Sequence, residues 1–235
     1  MAEAFAPSST RGRLCLALDS FSLNDARRLA SSLKPWFKTV KVGPELFSSV
    51  GPQAVRALRE DGFEVFVDLK LHDIPATVRR AAAAIARLGV AYTTVHAEGG
   101  LAMLEAAKEG LAEGSVEAER DPPTVGLAVT VLTSEPTSKA LLEERVRLAA
   151  QAGLGGVVCG VPDLEVVAKV APHLLKVVPG IRISRVANDD QQRTGSPEEA
   201  MAKGADLLVV GRPVTEAADP VLASRQLAAV LEAAS

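Results

Sequence analysis

Short apolar runs recur along the chain, and each gives way to a segment whose apolar residues return at three- and four-residue spacing. The first run, residues 13–18, stops at Asp19; Ser22 then stands where a helix cap belongs, and Leu23–Leu33 carries the helical pattern. The run Thr39–Val42 leads through Gly43 into Pro44 and a helical region with Leu46, Val55 and Leu58 on its apolar face, interrupted at Gly51-Pro52. Residues 65–69 are branched and aromatic enough to predict a third strand. Pro75 suits the first turn of the alanine-rich helix that follows, which extends over residues 78–88. Further strands are expected at 91–95, closing on His96, and at 124–129, 156–159, Leu175–Val178 and 206–210. Helices are expected after Gly99-Gly100, over about 141–152 and from Pro162.

Eight strands, each followed by a helix, with no linker and no shift of composition between halves, predict an α/β protein of one domain. The regular alternation favours a closed (β/α)8 TIM barrel over residues 11–235 rather than an open sheet. Residues 1–10, dominated by Ala, Pro and Ser, read as a frayed terminus without the basic start and apolar run of a secretory signal.

Composition narrows the function. Apolar residues make up 48% of the chain but aromatics only 3%, so Val, Leu and Ala must fill the interior, as suits parallel strands covered by helices. A net charge of −3 offers no basic field for nucleic acid, and no apolar window reaches membrane-spanning length. The expected partner is therefore a small molecule, in the cytoplasm. Cys15 and Cys159 fall in predicted buried strands without metal-ligand spacing, which favours reduced core thiols.

The chemistry gathers where strands end. Asp68 and Lys70 share a strand face, and Asp73 follows three residues on, so a carboxylate, an ammonium and a second carboxylate can converge. Most isolated charge triplets are solvated surface; this one stands at a sheet rim, where α/β proteins keep their active sites. Asp19, Lys41, His96, Thr130, Gly180 and Gly211 also stand at or just beyond strand ends. Lys41 on the neighbouring strand completes a set of two lysines and two aspartates able to hold one another ionised, with Lys70 as a proton donor. His72 lacks a visible nucleophile partner, and His96 reads equally as a packed rim residue. No histidine or cysteine cluster offers a metal site.

Gly180-Ile181-Arg182 and Gly211-Arg212 follow the seventh and eighth strands, where barrels commonly bind phosphate on glycine backbones. The arginines add planar donor forks; the alternative is that both are ordinary surface cations and the glycines only turn the chain. Residues 182–194 have few apolar anchors and read as a loop able to close over a ligand.

The segment Asp68-Leu69-Lys70-Leu71-His72-Asp73-Ile74-Pro75 with Thr77 resembles the signature of the bacterial-type orotidine 5′-phosphate decarboxylases. Supporting motifs are Ala17-Leu18-Asp19, Lys41-Val42-Gly43, Val129-Thr130-Val131-Leu132-Thr133-Ser134, Pro179-Gly180-Ile181-Arg182 and Gly211-Arg212-Pro213, and the resemblance covers nearly the whole chain. It implies a homodimeric barrel with shared active sites that converts orotidine 5′-phosphate to uridine 5′-phosphate and carbon dioxide, the last step of de novo pyrimidine nucleotide synthesis, without metal or organic cofactor. By the same resemblance Lys70 protonates C6 of the pyrimidine, Asp68 lies beside the departing carboxylate, and Lys41 and Asp73 complete the charged array. Asp19 and Lys41 contact the ribose; Ile74 joins the binding set and Thr77 assists from the partner subunit. Thr133 and Ser134 face the base, while Arg182, Gln191, Gly211 and Arg212 hold the phosphate. The competing expectations are a magnesium-dependent barrel decarboxylase or aldolase acting on a sugar phosphate, and a non-catalytic protein that binds a nucleoside monophosphate.

Overall fold

The computed structural model describes residues 9–20, 22–182 and 193–233. Eight parallel strands form one closed barrel in chain order, with the first and last strands paired, as the alternation predicted. They are β1 (Leu14–Leu18), β2 (Thr39–Val42), β3 (Glu64–Leu71), β4 (Tyr92–His96), β5 (Val125–Val129), β6 (Gly156–Val158), β7 (Leu175–Val178) and β8 (Leu207–Val210). The helices are α1 (Leu23–Leu33), α2 (Pro44–Val50), α3 (Pro52–Glu60), α4 (Pro75–Ala86), α5 (Gly100–Glu117), α6 (Lys139–Gln151), α7 (Leu164–Val170), α8 (Pro197–Ala202), α9 (Arg212–Thr215) and α10 (Pro220–Ala233).

Local chemistry explains several boundaries. The Ser22 hydroxyl accepts from the Asp25 amide at 3.3 Å and caps α1 as expected. Gly51, at φ 71°, separates α2 from α3 at the predicted break, where a side chain would be strained. Upstream, Ser9, inside the stretch expected to fray, caps a 3-10 turn at Thr10–Arg13 that leads into β1.

Alternation along each strand divides the core in two. On β1, Cys15 and Ala17 point into the barrel with Phe66, Leu127, Val177 and Val209. Leu14, Leu16 and Leu18 point outward beneath the helices. Val40 and Val42 of β2 and Val65 and Val67 of β3 belong to the outer layer, so Lys41 and Asp68 fall on inward-facing positions. The barrel therefore presents two charged residues near the C-terminal ends of adjacent strands.

Helices α4 and α5 approach with almost no separation. A Cβ built on Gly110 would lie 2.1 Å from the Arg79 carbonyl oxygen, and one on Gly114 would lie 2.2 Å from that of Ala83. Arg79 pairs with Glu113, and Arg87 with Glu117, along the exposed edge of this seam.

Candidate active site

The strand β3 runs two residues past its predicted end and departs from regular geometry as it does so. Its register against β4 shifts between Val67 and Leu71, and Lys70 adopts φ 50°, the left-handed region that costs a non-glycine residue about 1–3 kcal/mol. Thr94 on β4 fixes this bend: its hydroxyl accepts from the Lys70 amide at 2.9 Å and donates to Asp68 Oδ1 at 2.9 Å. Lys70 Nζ then sits 2.9 Å from both oxygens of Asp68. Lys41 Nζ lies 3.6 Å from Asp68 Oδ2 and 3.6 Å from Asp19 Oδ1. The result is a row of alternating charge, Lys70, Asp68, Lys41, Asp19.

Burial penalises ionisation of Asp68, but the charges of Lys41 and Lys70 and the hydrogen bonds from Lys70 and Thr94 outweigh it and hold the carboxyl below the usual carboxylate range. Burial likewise opposes the Lys41 ammonium, and Asp68 and Asp19 overcome it, so Lys41 is held above the ordinary lysine value. Both members of the central pair thus stay charged across the neutral range.

This row forms one end of a cavity of about 380 Å³ that also includes Gly180, Arg182, Gly211 and Arg212 from the loops after β7 and β8. Between them, Val129, Val131, Leu132 and Thr133 form one wall and Phe66 and Val158 part of the floor. A charged reactive end, an apolar flank and a glycine-arginine end therefore share one space. That arrangement suits a ligand with an anionic reacting group, a flat body and a phosphate.

The structure brings together Asp19, Lys41, Asp68, Lys70, Thr133, Arg182, Gly211 and Arg212 of the predicted site. Asp73, Ile74, Thr77 and Ser134 do not line this cavity. The Asp73 carboxylate accepts from the Ile74 amide at 2.7 Å on the exposed loop before α4, and Ile74 itself is 66% exposed. Gln191 lies outside the described residues, as does most of the segment expected to close over a ligand. Thr130, expected at the rim, is instead buried, and its hydroxyl donates to the Val158 carbonyl at 3.0 Å.

Thr94 was not singled out from the sequence. A threonine inside an apolar strand reads as a branched strand former, and only its position opposite Asp68 across the β3–β4 pairing would have marked it. Cys15 and Cys159 are fully buried, and burial pushes both thiols far up, so neither is a nucleophile at neutral pH. Among the described residues, no three His, Cys, Asp or Glu side chains gather as a metal-binding group.

His72 and His96 stack with ring centroids 5.5 Å apart. Burial depresses His96 below the ordinary histidine value, helped by His72 and Lys70, against the opposing pull of Glu98. Its folded value lies below its unfolded one, so the unfolded chain takes up this proton first as the solution acidifies. Stability should then fall as pH drops below about 6.5. Thermal melts from about pH 8 to about pH 5 should show a shallower decline for His96→Gln than for wild type; identical slopes would remove His96 as a contributor.

The family described as "Orotidine 5'-phosphate decarboxylase / HUMPS family" matches residues 12–227. The chain belongs to this family. Among curated members, orotidine 5′-phosphate decarboxylase of Dichelobacter nodosus is 43% identical over 230 residues, covering 93% of this chain and 98% of the relative. The Chromohalobacter salexigens protein of the same name is 46% identical over 224 residues, covering 89% of this chain and 92% of the relative. The crystal structure of orotidine 5′-phosphate decarboxylase from Lactobacillus acidophilus aligns with TM-score 0.77 at 31% identity, over 92% of this chain and 97% of that one. Membership in this decarboxylase family identifies the protein as an enzyme.

Proposed function

We propose that the protein decarboxylates orotidine 5′-phosphate to uridine 5′-phosphate, completing de novo pyrimidine nucleotide synthesis, with Lys70 as the proton donor. The observation that carries this reading is the Lys70–Asp68–Lys41 row at one end of a cavity whose other end holds Gly211, Arg212 and Arg182. Decarboxylation breaks the bond from C6 to the carboxylate and leaves an electron pair on C6. A preorganised ammonium beside that carbon stabilises the developing charge and supplies the proton that replaces carbon dioxide. Asp68, kept ionised, faces the substrate carboxylate and loses an unfavourable neighbour as carbon dioxide departs. Lys41 helps keep Asp68 charged and, with Asp19, reaches the ribose hydroxyls. Thr133 and Ser134 contact the base; Arg182, Gln191, Gly211 and Arg212 hold the phosphate.

The same reading takes the active unit to be a cytoplasmic homodimer in which Asp73, Ile74 and Thr77 enter the neighbouring subunit's site. Their support is position: Asp73 and Ile74 stand exposed on the loop preceding α4, outside their own chain's cavity, with Thr77 in the first turn of that helix. The reaction proceeds on the chain's own residues, without metal or organic cofactor.

The deciding experiment follows the loss of orotidine 5′-phosphate absorbance with enzyme treated by chelator. Full activity is expected. Activity that vanishes on chelation and returns with magnesium would favour a sugar-phosphate decarboxylase or aldolase, and ligand binding without turnover would favour a nucleotide-binding protein.

A further inference from the structure

The chain leaves β7 through Pro179-Gly180-Ile181-Arg182 and is described again from Arg193. The two ends are tied: the Arg182 amide donates to the Gly195 carbonyl at 3.0 Å, and the Gly195 amide to that of Gly180 at 3.4 Å. Gly180 and Arg182 belong to the glycine-arginine end of the cavity, so the returning strand is fastened to that end.

Arg193 then crosses to the opposite wall. Its Nη2 donates to the carbonyls of Val131 at 2.7 Å and Leu132 at 3.0 Å, and its backbone amide donates to that of Thr133 at 3.2 Å. Three consecutive carbonyls of the cavity wall are thus held by one residue. Its Nη1 is 2.7 Å from Asp163 Oδ2, which also accepts from the Gly160 amide at 2.9 Å. The side chains of Arg193 and Asp163 are only 11% and 5% exposed. The packing leaves no slack: a Cβ on Gly160 would lie 3.1 Å from Arg193 Cβ, and one on Gly195 would lie 2.8 Å from Val161.

A buried ion pair is weak grounds for a stabilising role, because removing two charges from water offsets much of their attraction. What this pair provides is placement. Only a planar guanidinium can face Asp163 with one nitrogen while a second spans two carbonyls; an ammonium can match the charge but not the fork. We infer that Arg193, oriented by Asp163, is a positioning residue that couples the phosphate end of the cavity to the wall at 131–133, so that energy from gripping the phosphate is used to set that wall against the reacting ring. The inference rests on the proposed decarboxylation, and it concerns the phosphate-dependent part of that rate.

The test compares orotidine 5′-phosphate with orotidine, the nucleoside lacking the phosphate, for wild type, Arg193→Lys and Arg193→Met. Asp163→Asn, which keeps an oxygen for the Gly160 amide, adds an independent route to the same contact. For the nucleotide, kcat/KM should fall about 100-fold in the Arg193 variants, the scale of an angstrom-level misplacement, with most of the loss in kcat. For the nucleoside it should stay at the wild-type value, so the ratio between substrates shrinks by the same factor. Asp163→Asn should shrink the ratio in the same direction. A merely structural role lowers both substrates together and leaves the ratio unchanged, which would overturn the inference, as would an unchanged nucleotide rate. Melting curves check that each variant is folded. Should Arg193→Met fail to fold, Arg193→Lys carries the test because it retains the charge opposite Asp163. A wild-type enzyme inactive on the nucleotide would instead sink the proposed function itself.

Discussion

Turnover of orotidine 5′-phosphate by Lys70→Ala should fall by at least about 10⁴-fold, because one side chain supplies both the proton and the nearest positive charge. Loss of either effect alone typically costs two or more orders of magnitude. The protein should still fold. Asp68 keeps the Thr94 hydroxyl at 2.9 Å and Lys41 at 3.6 Å, so its carboxylate is not stranded when Lys70 is removed. Single-turnover assays with circular dichroism and a thermal melt separate the two outcomes. A folded variant with near-wild-type turnover would remove Lys70 from the chemistry.

The second large effect is a recovery. Lys70→Ala and Asp73→Asn subunits, each inactive alone, should regain activity when mixed and allowed to exchange. In a two-fold dimer with shared sites, every hybrid carries one doubly damaged site and one intact site. Random exchange makes about half of the dimers hybrid, giving about one quarter of wild-type activity if the sites act independently. An exchanged mixture verified to contain hybrids, yet no more active than its parents, would return Asp73 to its own subunit's site. The exposure of Ile74 makes a related point: a 66% exposed isoleucine next to Asp73 is the kind of apolar surface that a partner covers.

The barrel was legible because a parallel strand covered on both faces must be apolar at nearly every position, and β1, β5, β7 and β8 are buried throughout. Their limits were readable to within about one residue, and Asp19, Pro179 and Gly211 stop the runs of β1, β7 and β8. The inward direction of Lys41 and Asp68 followed from the period of two. Lys70 was legible as a candidate site residue but not as a conformation: no propensity announces a left-handed lysine, whose amide is bonded by Thr94 across the ladder. Arg193 was hidden for a related reason. Its partners are carbonyls, which carry no residue-type signal, and an aspartate 30 positions away. Sequence reports which groups are present; long-range hydrogen bonds to the backbone decide how they are aimed.

The seam between α4 and α5 bears on how freely this enzyme can drift. At positions 110 and 114 even a methyl group would collide with the carbonyl oxygens of Arg79 and Ala83, atoms that belong to the backbone and cannot swing aside. Any replacement there must push α4 bodily outward, and α4 begins directly after the loop bearing Asp73 and Ile74. In a library of random variants, these two glycines would register as intolerant sites without facing the cavity, and selection on catalysis would detect a shift that selection on solubility overlooks.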